Sequence, residues 1–536
     1  MAETKREIER KYDVGADTAL PDLSGVAGVA DVVDKGVVEL DAVYHDTTDQ
    51  LLLSDSITLR RRTGGDDEGW HLKLPVSLAQ GVRDEIRAPL SESVPPELSG
   101  LVRSRVRDAG LVPVMRLLTA RDLRHLVDAK GALLAELSID RVRAERLTEG
   151  GGTAEWAEIE VELADDADPA LLDRIEKKLR KLGVERSASA SKLAKAQAAT
   201  ALGETRQRSA QGGPKPAKAK RGKADEQYVV IHLKDPAVQR APVTAADHVL
   251  AYVRTQRDAL VALDPDVRRD VPDSVHQMRV ATRRMRSAFR SYGKILDRTV
   301  TDPIGDELKW LAGELGVDRD QEVLAERLTH RIDAVPGTLL LGPVRARLQI
   351  WGVAGADDAR SRTVAALEGE RYVRLLNSVD AVLADPPLRK AAAASPDKAL
   401  PKAVRKDYAR LEARIEHALA LEPGEERDVA MHGARKAAKR ARYAGEAARP
   451  ALGKPAKRFA KRMKAVQKVL GDHQDSVVAR ETLRHLAIQA HAADETAFTW
   501  GLLYGQEEAT AAERENELPG VWHRASRPKL RAALSS

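Results

Sequence analysis

Carboxylates and cations alternate near both ends of the first 200 residues. Glu7, Glu9 and Lys11 occupy every second position of REIERKYDV, and Glu158, Glu160 and Glu162 do the same in WAEIEVEL. A β-strand points successive side chains to opposite faces, so each trio leaves its strand on one side. Arg60 with Arg62 in SITLRRR, and Arg83 with Glu85 in VRDEIR, obey the same rule, and Lys73 lies in WHLKLPV. A solvated strand face explains any one trio. Several together suit the inside of a closed barrel, where walls of both signs make sense around water, a divalent metal and a polyanion. Hard cations such as Mg²⁺ take carboxylate oxygens and bridge to phosphate, while Arg and Lys neutralise the remaining phosphate charge.

A second pattern lies further along. His276, Arg279, Arg283, Arg284 and Arg286 in HQMRVATRRMR recur at identical spacing as His432, Arg435, Lys439, Arg440 and Arg442 in HGARKAAKRAR. On a helix, offsets of 0, 3, 7 and 10 fall within an arc of about 80°. His276, Arg279, Arg283 and Arg286 therefore form one stripe, and His432, Arg435, Lys439 and Arg442 another. Lys454, Lys457, Lys461, Lys464 and Lys468 form a further row. A repeated stripe without acids favours an anion-binding surface over a salt-bridged face. Neither His276 nor His432 has an acidic or histidine partner at i+4, which argues against a metal pair. About forty residues after each histidine come LGVDRD (Leu315 to Asp320) and LGDHQD (Leu470 to Asp475), with Gln474 where the first has Arg319. Arg319 and Asp320 read as an internal ion pair, and His473 fits either a core or a metal role.

The elements that must carry these residues differ between the two regions. Alternating runs, including LLAELSIDRVRAER, predict a mainly antiparallel β domain; Thr63 to Gly69 reads as a hairpin loop and Pro169 to Leu182 as a helix. Gly203 to Gln227 (203–227) is basic, poor in large apolar side chains, and reads as a flexible linker. After residue 240 the apolar spacing is three and four. That predicts only helices, broken at Pro272, Pro303, Pro336, Pro343, Pro386-Pro387, Pro401, Pro423 and Pro455, in two related units.

Composition bounds the partners. The 536 residues exceed one core; 43% are hydrophobic, 32% charged and only 3% aromatic, which disfavours a stacking platform for single-stranded nucleic acid. Residues 1 to 200 carry 29 Lys and Arg against 37 Asp and Glu, and the remainder 59 against 45, so the halves have opposite sign. With no cysteine, disulfides, thiolate metal sites and cysteine nucleophiles are excluded. MAETKREIERKYDV lacks an apolar signal core and no stretch approaches the roughly 18 apolar residues of a membrane span. The expectation is a cytoplasmic protein, with polyphosphate granules as a further location.

These residues resemble two families. Over about 3–200, Glu7-Ile8-Glu9-Arg10-Lys11, VYHDTTDQLL, LRRR, WHLKLP, VRDEIR, TARDLR, LAELSIDRV, EIEVEL and SKLAKA resemble the CYTH, or triphosphate tunnel metalloenzyme, family. That implies an eight-stranded antiparallel tunnel binding a triphosphate with Mg²⁺ or Mn²⁺. It implies Glu7, Glu9, Glu158 and Glu160 as metal ligands, with Glu162 and Glu136 as further candidates. Lys11, Arg60, Arg62, Lys73, Arg83, Arg121 and Lys192 would grip phosphate; Lys11, Glu9 and Glu160 would be catalytic, Lys11 alternatively as general base. Ala120 departs from the family, which would place a second basic residue beside Arg121. Over about 240–520, HQMRVATRRMRSAFR, LGVDRDQEVL, MHGARKAAKRARYAGE and VLGDHQDSVV resemble the CHAD family, the conserved-histidine α-helical domain. That implies two four-helix repeats around a basic cavity for inorganic polyphosphate.

The leading expectation is metal-dependent hydrolysis of inorganic triphosphate or short polyphosphate, with polyphosphate held by the helical domain. Alternatives are adenylate cyclisation, hydrolysis of thiamine triphosphate or a nucleotide, and a non-catalytic polyphosphate scaffold. Nucleic acid is a weaker candidate, lacking aromatics and a recognition motif.

Overall fold

Glutamates and lysines at alternate positions leave the other face of each strand free to be apolar, and the chain rolls up accordingly. The computed structural model describes residues 3–76, 81–210 and 242–534, without the side chains of 3, 202–210, 317–320 and 353–359. It divides into two compact units, Met1–Gln239 and Arg240–Ser536.

In the first unit, β1 (Glu3–Val14), β2 (Asp31–Asp46), β3 (Thr58–Thr63), β4 (Gly69–Pro75), β5 (Val82–Ala88), β6 (Val112–Val127), β7 (Leu133–Arg146) and β8 (Thr153–Leu163) run antiparallel in the order β5-β4-β3-β2-β6-β7-β8-β1. Pairing of β1 with β5 closes this eight-stranded barrel, and the two-residue β9 (Glu185–Arg186) flanks β1. Four helices decorate it: α1 (Leu51–Ser54), α2 (Pro96–Val106), α3 (Ala170–Lys181) and α4 (Lys192–Ala210). The apolar cores lie largely outside the wall. Tyr12, Ile159 and Val161 pack on Ile175 and Leu179 of α3, while Leu59, Trp70 and Ile86 pack on Leu98 and Val102 of α2. At one end the inward positions Ala42, Leu117, Val142 and Ala144 are apolar instead, and Leu193 and Ala196 of α4 stopper them. The sequence pattern had marked neither β2 nor β6 as a strand. Each is held by long ladders on both sides, which override its weak alternation. Helix α4 continues through the first eight residues of the segment read as a linker; 211–227 of that segment lie outside the described residues.

The second unit comprises α5 (Ala245–Arg268), α6 (Ser274–Ser291), α7 (Arg298–Glu314), α8 (Val317–Ala334), α9 (Val344–Glu368), α10 (Glu370–Ala384), α11 (Pro396–Ala420), α12 (Glu425–Ala492), α13 (Phe498–Ala525) and α14 (Pro528–Ala532). The duplication is structural: α5, α6, α7–α8 and α9 correspond to α11, the two arms of α12, and α13. Helix α12 folds back at Gly453, whose φ of 60° and ψ of −131° suit glycine. Its arms press together where a Cβ on Gly445 would stand 2.8 Å from the Phe459 ring. Pro303 and Pro401 were expected to break helices. Both instead lie within them, near the start of α7 and α11, where buried neighbours such as Leu308 and Val404 keep the helix in place. Among the described residues no helix is long and apolar enough to cross a membrane.

Candidate functional site

The barrel interior is a lattice of opposite charges. On one side Glu160 accepts from Lys11, from Lys192 and, at 2.6 Å, from Arg121, which also forks onto Asp140 at 2.8 and 2.6 Å. Lys192, delivered by the stopper helix α4, lies 2.8 Å from Asp140 and 3.1 Å from Glu158. Lys11 also reaches Glu9 at 3.1 Å. Opposite, Lys73 donates to Glu7 at 2.5 Å, and fully buried Glu85 gathers His71 at 3.0 Å, Arg87 at 2.6 Å, Lys73 at 3.6 Å and Arg60 at 3.7 Å.

The electrostatics record the crowding. Burial pushes Glu7 up to about 7, outweighing Lys73. Glu9 is equally buried, yet Lys11 and then Lys73 overcome that burial and hold it at about 2. Burial, with Arg60 and Arg121 close by, pushes Arg62 down to about 9, although its guanidinium pairs with Asp67 of the hairpin loop. A guanidinium with two others beside it gains from an arriving anion.

Not every expected residue lies at the centre. Glu162 pairs with Lys5 at 2.9 Å, and Glu136 is 41% exposed and 3.5 Å from His125, at the margin. Arg83 donates to the carbonyls of Ser56 at 3.1 Å and Ala190 at 2.8 Å, so it fastens loops as well as facing Glu7 across the ladder. Sequence reasoning read Glu85 and Asp140 in the barrel motifs without giving either a role, and passed over His71. Their signal was available, since Glu85 alternates with Arg83 and Arg87, and Asp140 with Glu136.

By donor type, the buried carboxylates of Glu7, Glu9, Glu158 and Glu160 fit a hard divalent cation. Among the described residues no three of them bring oxygens within 4.8 Å of each other. The ammonium groups of Lys11, Lys73 and Lys192 stand between, holding the charge a metal would compensate, on stems long enough to turn to phosphate.

In the helical unit, Arg279 and Arg283 of α6 and Arg435 and Lys439 of the first α12 arm crowd one another. Burial, then Arg435 and Arg283, pushes Lys439 down to about 7, against Asp475. The Leu-Gly elements lie against these arginines. A Cβ on Gly316 would stand 2.9 Å from the Arg279 guanidinium, and one on Gly471 3.7 Å from that of Arg435. Gly316 clears room for Arg279, whereas a methyl on Gly471 would make ordinary contact with Arg435. The side chains of Arg319 and Asp320 lie outside the described residues.

Arg442 is not an open member of its stripe, for it donates to Glu446 at 2.8 Å and Gln467 at 2.9 Å and lies over Tyr443. Glu446 occupies the place of Arg290 in the first repeat, and it takes Arg284 at 3.2 Å as well. The Arg286 end keeps its charge: burial, then Arg290, holds Arg286 below the usual guanidinium range. His276 and His432 are half-buried, and burial with Lys436 lowers His432. His473 is fully buried between Asp428 at 3.2 Å and Glu515 at 3.4 Å, whose charges Arg480 and Arg427 already balance. This is a core ion-pair network.

Comparison with known proteins agrees with both geometries. Residues 5–196 match the CYTH domain and residues 251–484 the CHAD domain. The uncharacterized proteins MT2285 and Rv2226 of Mycobacterium tuberculosis (strains CDC 1551 / Oshkosh and ATCC 25618 / H37Rv) are each 37% identical over 529 residues, 95% of this chain and 94% of theirs. The chain is a CYTH–CHAD protein. Among solved structures, the CHAD domain from the plant Ricinus communis is 26% identical, with a TM-score of 0.42 over 55% of this chain and 93% of that one. The CYTH unit is thus a triphosphate-tunnel barrel, and the duplicated basic helices belong to the CHAD unit.

Proposed function

We propose that the CYTH tunnel hydrolyses inorganic triphosphate or short polyphosphate with a divalent metal, Mg²⁺ or Mn²⁺, and that the CHAD unit binds polyphosphate. The carrying observation is the closed interior in which Arg60, Arg62 and Arg121 crowd together beside buried, lysine-separated carboxylates. Bound at Glu7, Glu9, Glu158 and Glu160, the metal would supply Lewis-acid stabilisation of phosphate oxygens. Arg60, Arg62, Lys73, Arg121 and Lys192 bind the chain and stabilise the charge that develops on the transferring phosphoryl group. Lys11, clasped by Glu9 and Glu160, is placed to follow that charge rather than to act as a base. The carboxylate oxygens on either side of it can orient a water toward the terminal phosphorus.

The test is phosphate release from inorganic triphosphate, ATP, thiamine triphosphate and long polyphosphate, with Mg²⁺ or Mn²⁺ and in excess EDTA. Preference for inorganic triphosphate that vanishes in EDTA is expected. Equal turnover in EDTA, or none on any substrate, refutes the reading.

A further inference from the structure

One cation of the tunnel is paired differently from its neighbours. Lys11, Lys73, Arg60 and Arg121 meet carboxylates carried by the barrel strands themselves. The partner of Arg62 is Asp67, which stands in the loop between β3 and β4. A strand carboxylate is fixed by the ladder, whereas a loop carboxylate can let go without breaking it.

Arg62 is 4% exposed, and its buried Nε has no hydrogen-bond partner among the described residues. The Asp67 oxygen that pairs with Arg62 also lies 3.8 Å from Arg87, whose Nε donates to Glu85 at 2.6 Å. Two guanidinium groups about one oxyanion form the kind of pair that holds a phosphoryl group. A phosphoryl group brings three acceptor oxygens where the carboxylate brings two, so it can serve Arg62 Nε as well.

The loop backbone is pinned while this side chain is not. A Cβ on Gly64 would run into the Glu39 carbonyl and one on Gly65 would stand 3.0 Å from the Leu40 side chain, so the loop lies against β2. The Asp67 carbonyl accepts from buried His71 Nε2 at 2.8 Å. Release of Arg62 therefore needs only rotation of the Asp67 side chain, which is 35% exposed and can turn to water.

We infer that Arg62 and Arg87 form a phosphate subsite that the Asp67 carboxylate holds until a phosphoryl group of the substrate displaces it. Asp67 is an internal competitor, and its effect falls on affinity. The inference rests on the triphosphate-tunnel reading above and adds Arg87 to the residues that meet phosphate.

The experiment uses the full chain and inorganic triphosphate, with KM and kcat from phosphate release in Mg²⁺ and Kd from calorimetry in EDTA. Asp67→Asn should lower KM and Kd roughly ten-fold, the weight of one charge-assisted hydrogen bond, with kcat little changed. Asp66→Asn, which removes an exposed acid next to it, should leave both within about two-fold of wild type. Arg87→Gln should weaken binding more in the Asp67→Asn background than in wild type, where it weakens competitor and substrate together. Unchanged or raised KM and Kd in Asp67→Asn, an equal gain in Asp66→Asn, or additive effects of Arg87→Gln and Asp67→Asn overturns the proposal. So does absence of triphosphate binding in both wild type and Asp67→Asn. Tighter binding by Asp67→Asn with no turnover in either protein would strike the hydrolase reading alone and leave the subsite standing.

Discussion

Lys439 ties polyphosphate binding to pH. Its ammonium is held at about 7 by burial and by Arg435, Arg283 and Arg279, with only Asp475 opposing them. In the free protein Lys439 is half charged at pH 7 and almost wholly neutral at pH 9. A bound phosphate chain supplies the missing counter-charge and returns the group toward the usual lysine value of 10.5. Binding therefore takes up a proton: affinity is greatest below pH 7 and falls as pH rises. For full restoration, the linkage weakens binding about fifty-fold between pH 7 and pH 9. Burial with Lys436 holds His432 below the usual histidine range, so it adds little to this window. The assay is titration of the full chain with long-chain polyphosphate at pH 7, 8 and 9, in two buffers of different ionisation enthalpy to count the proton. Lys439→Arg should keep binding and lose the pH slope. A flat wild-type profile, or a slope that survives in Lys439→Arg, refutes the reasoning.

Three further outcomes are expected. Glu160→Gln should abolish triphosphate turnover and also lower stability by about 3–5 kcal/mol, because Lys11, Lys192 and Arg121 lose a buried counter-charge; Glu9→Gln should abolish turnover with a smaller melting shift, read by calorimetry beside phosphate release. Reversing charge at Arg283 and Lys439, which share one crowded cluster, should weaken polyphosphate binding more than reversing Lys215 and Lys218; equal losses would leave a generic basic surface. Gly445→Ala should lower the melting temperature: helix propensity gains about 1 kcal/mol, but the new methyl meets the buried Phe459 ring at 2.8 Å, and overpacking costs about 1–3 kcal/mol.

Much of this protein was legible in residue order alone, because its signals are periodic. Two-residue alternation placed Glu7, Glu9, Lys11, Glu158 and Glu160 on common faces, and helical spacing placed Arg279 and Arg283 in one arc with their duplicates. Those statements depend on local geometry, which neighbouring residues determine. The tertiary structure decided which charges meet. The ladders brought β6, β7, β8 and β1 side by side and α4 against them, so that Lys11, Arg121 and Lys192 converge on Glu160 from positions up to 149 residues away. Pairing of β3, β4 and β5 made Glu85 a hub, and the folding back of α12 brought Gln467 to Arg442, which already had Glu446 one helical turn on. It also separated the crowded, half-buried Lys439 from the exposed lysines of the next arm, which sequence presents as equivalent charges. The difference is burial, and burial depends on packing between segments distant in sequence.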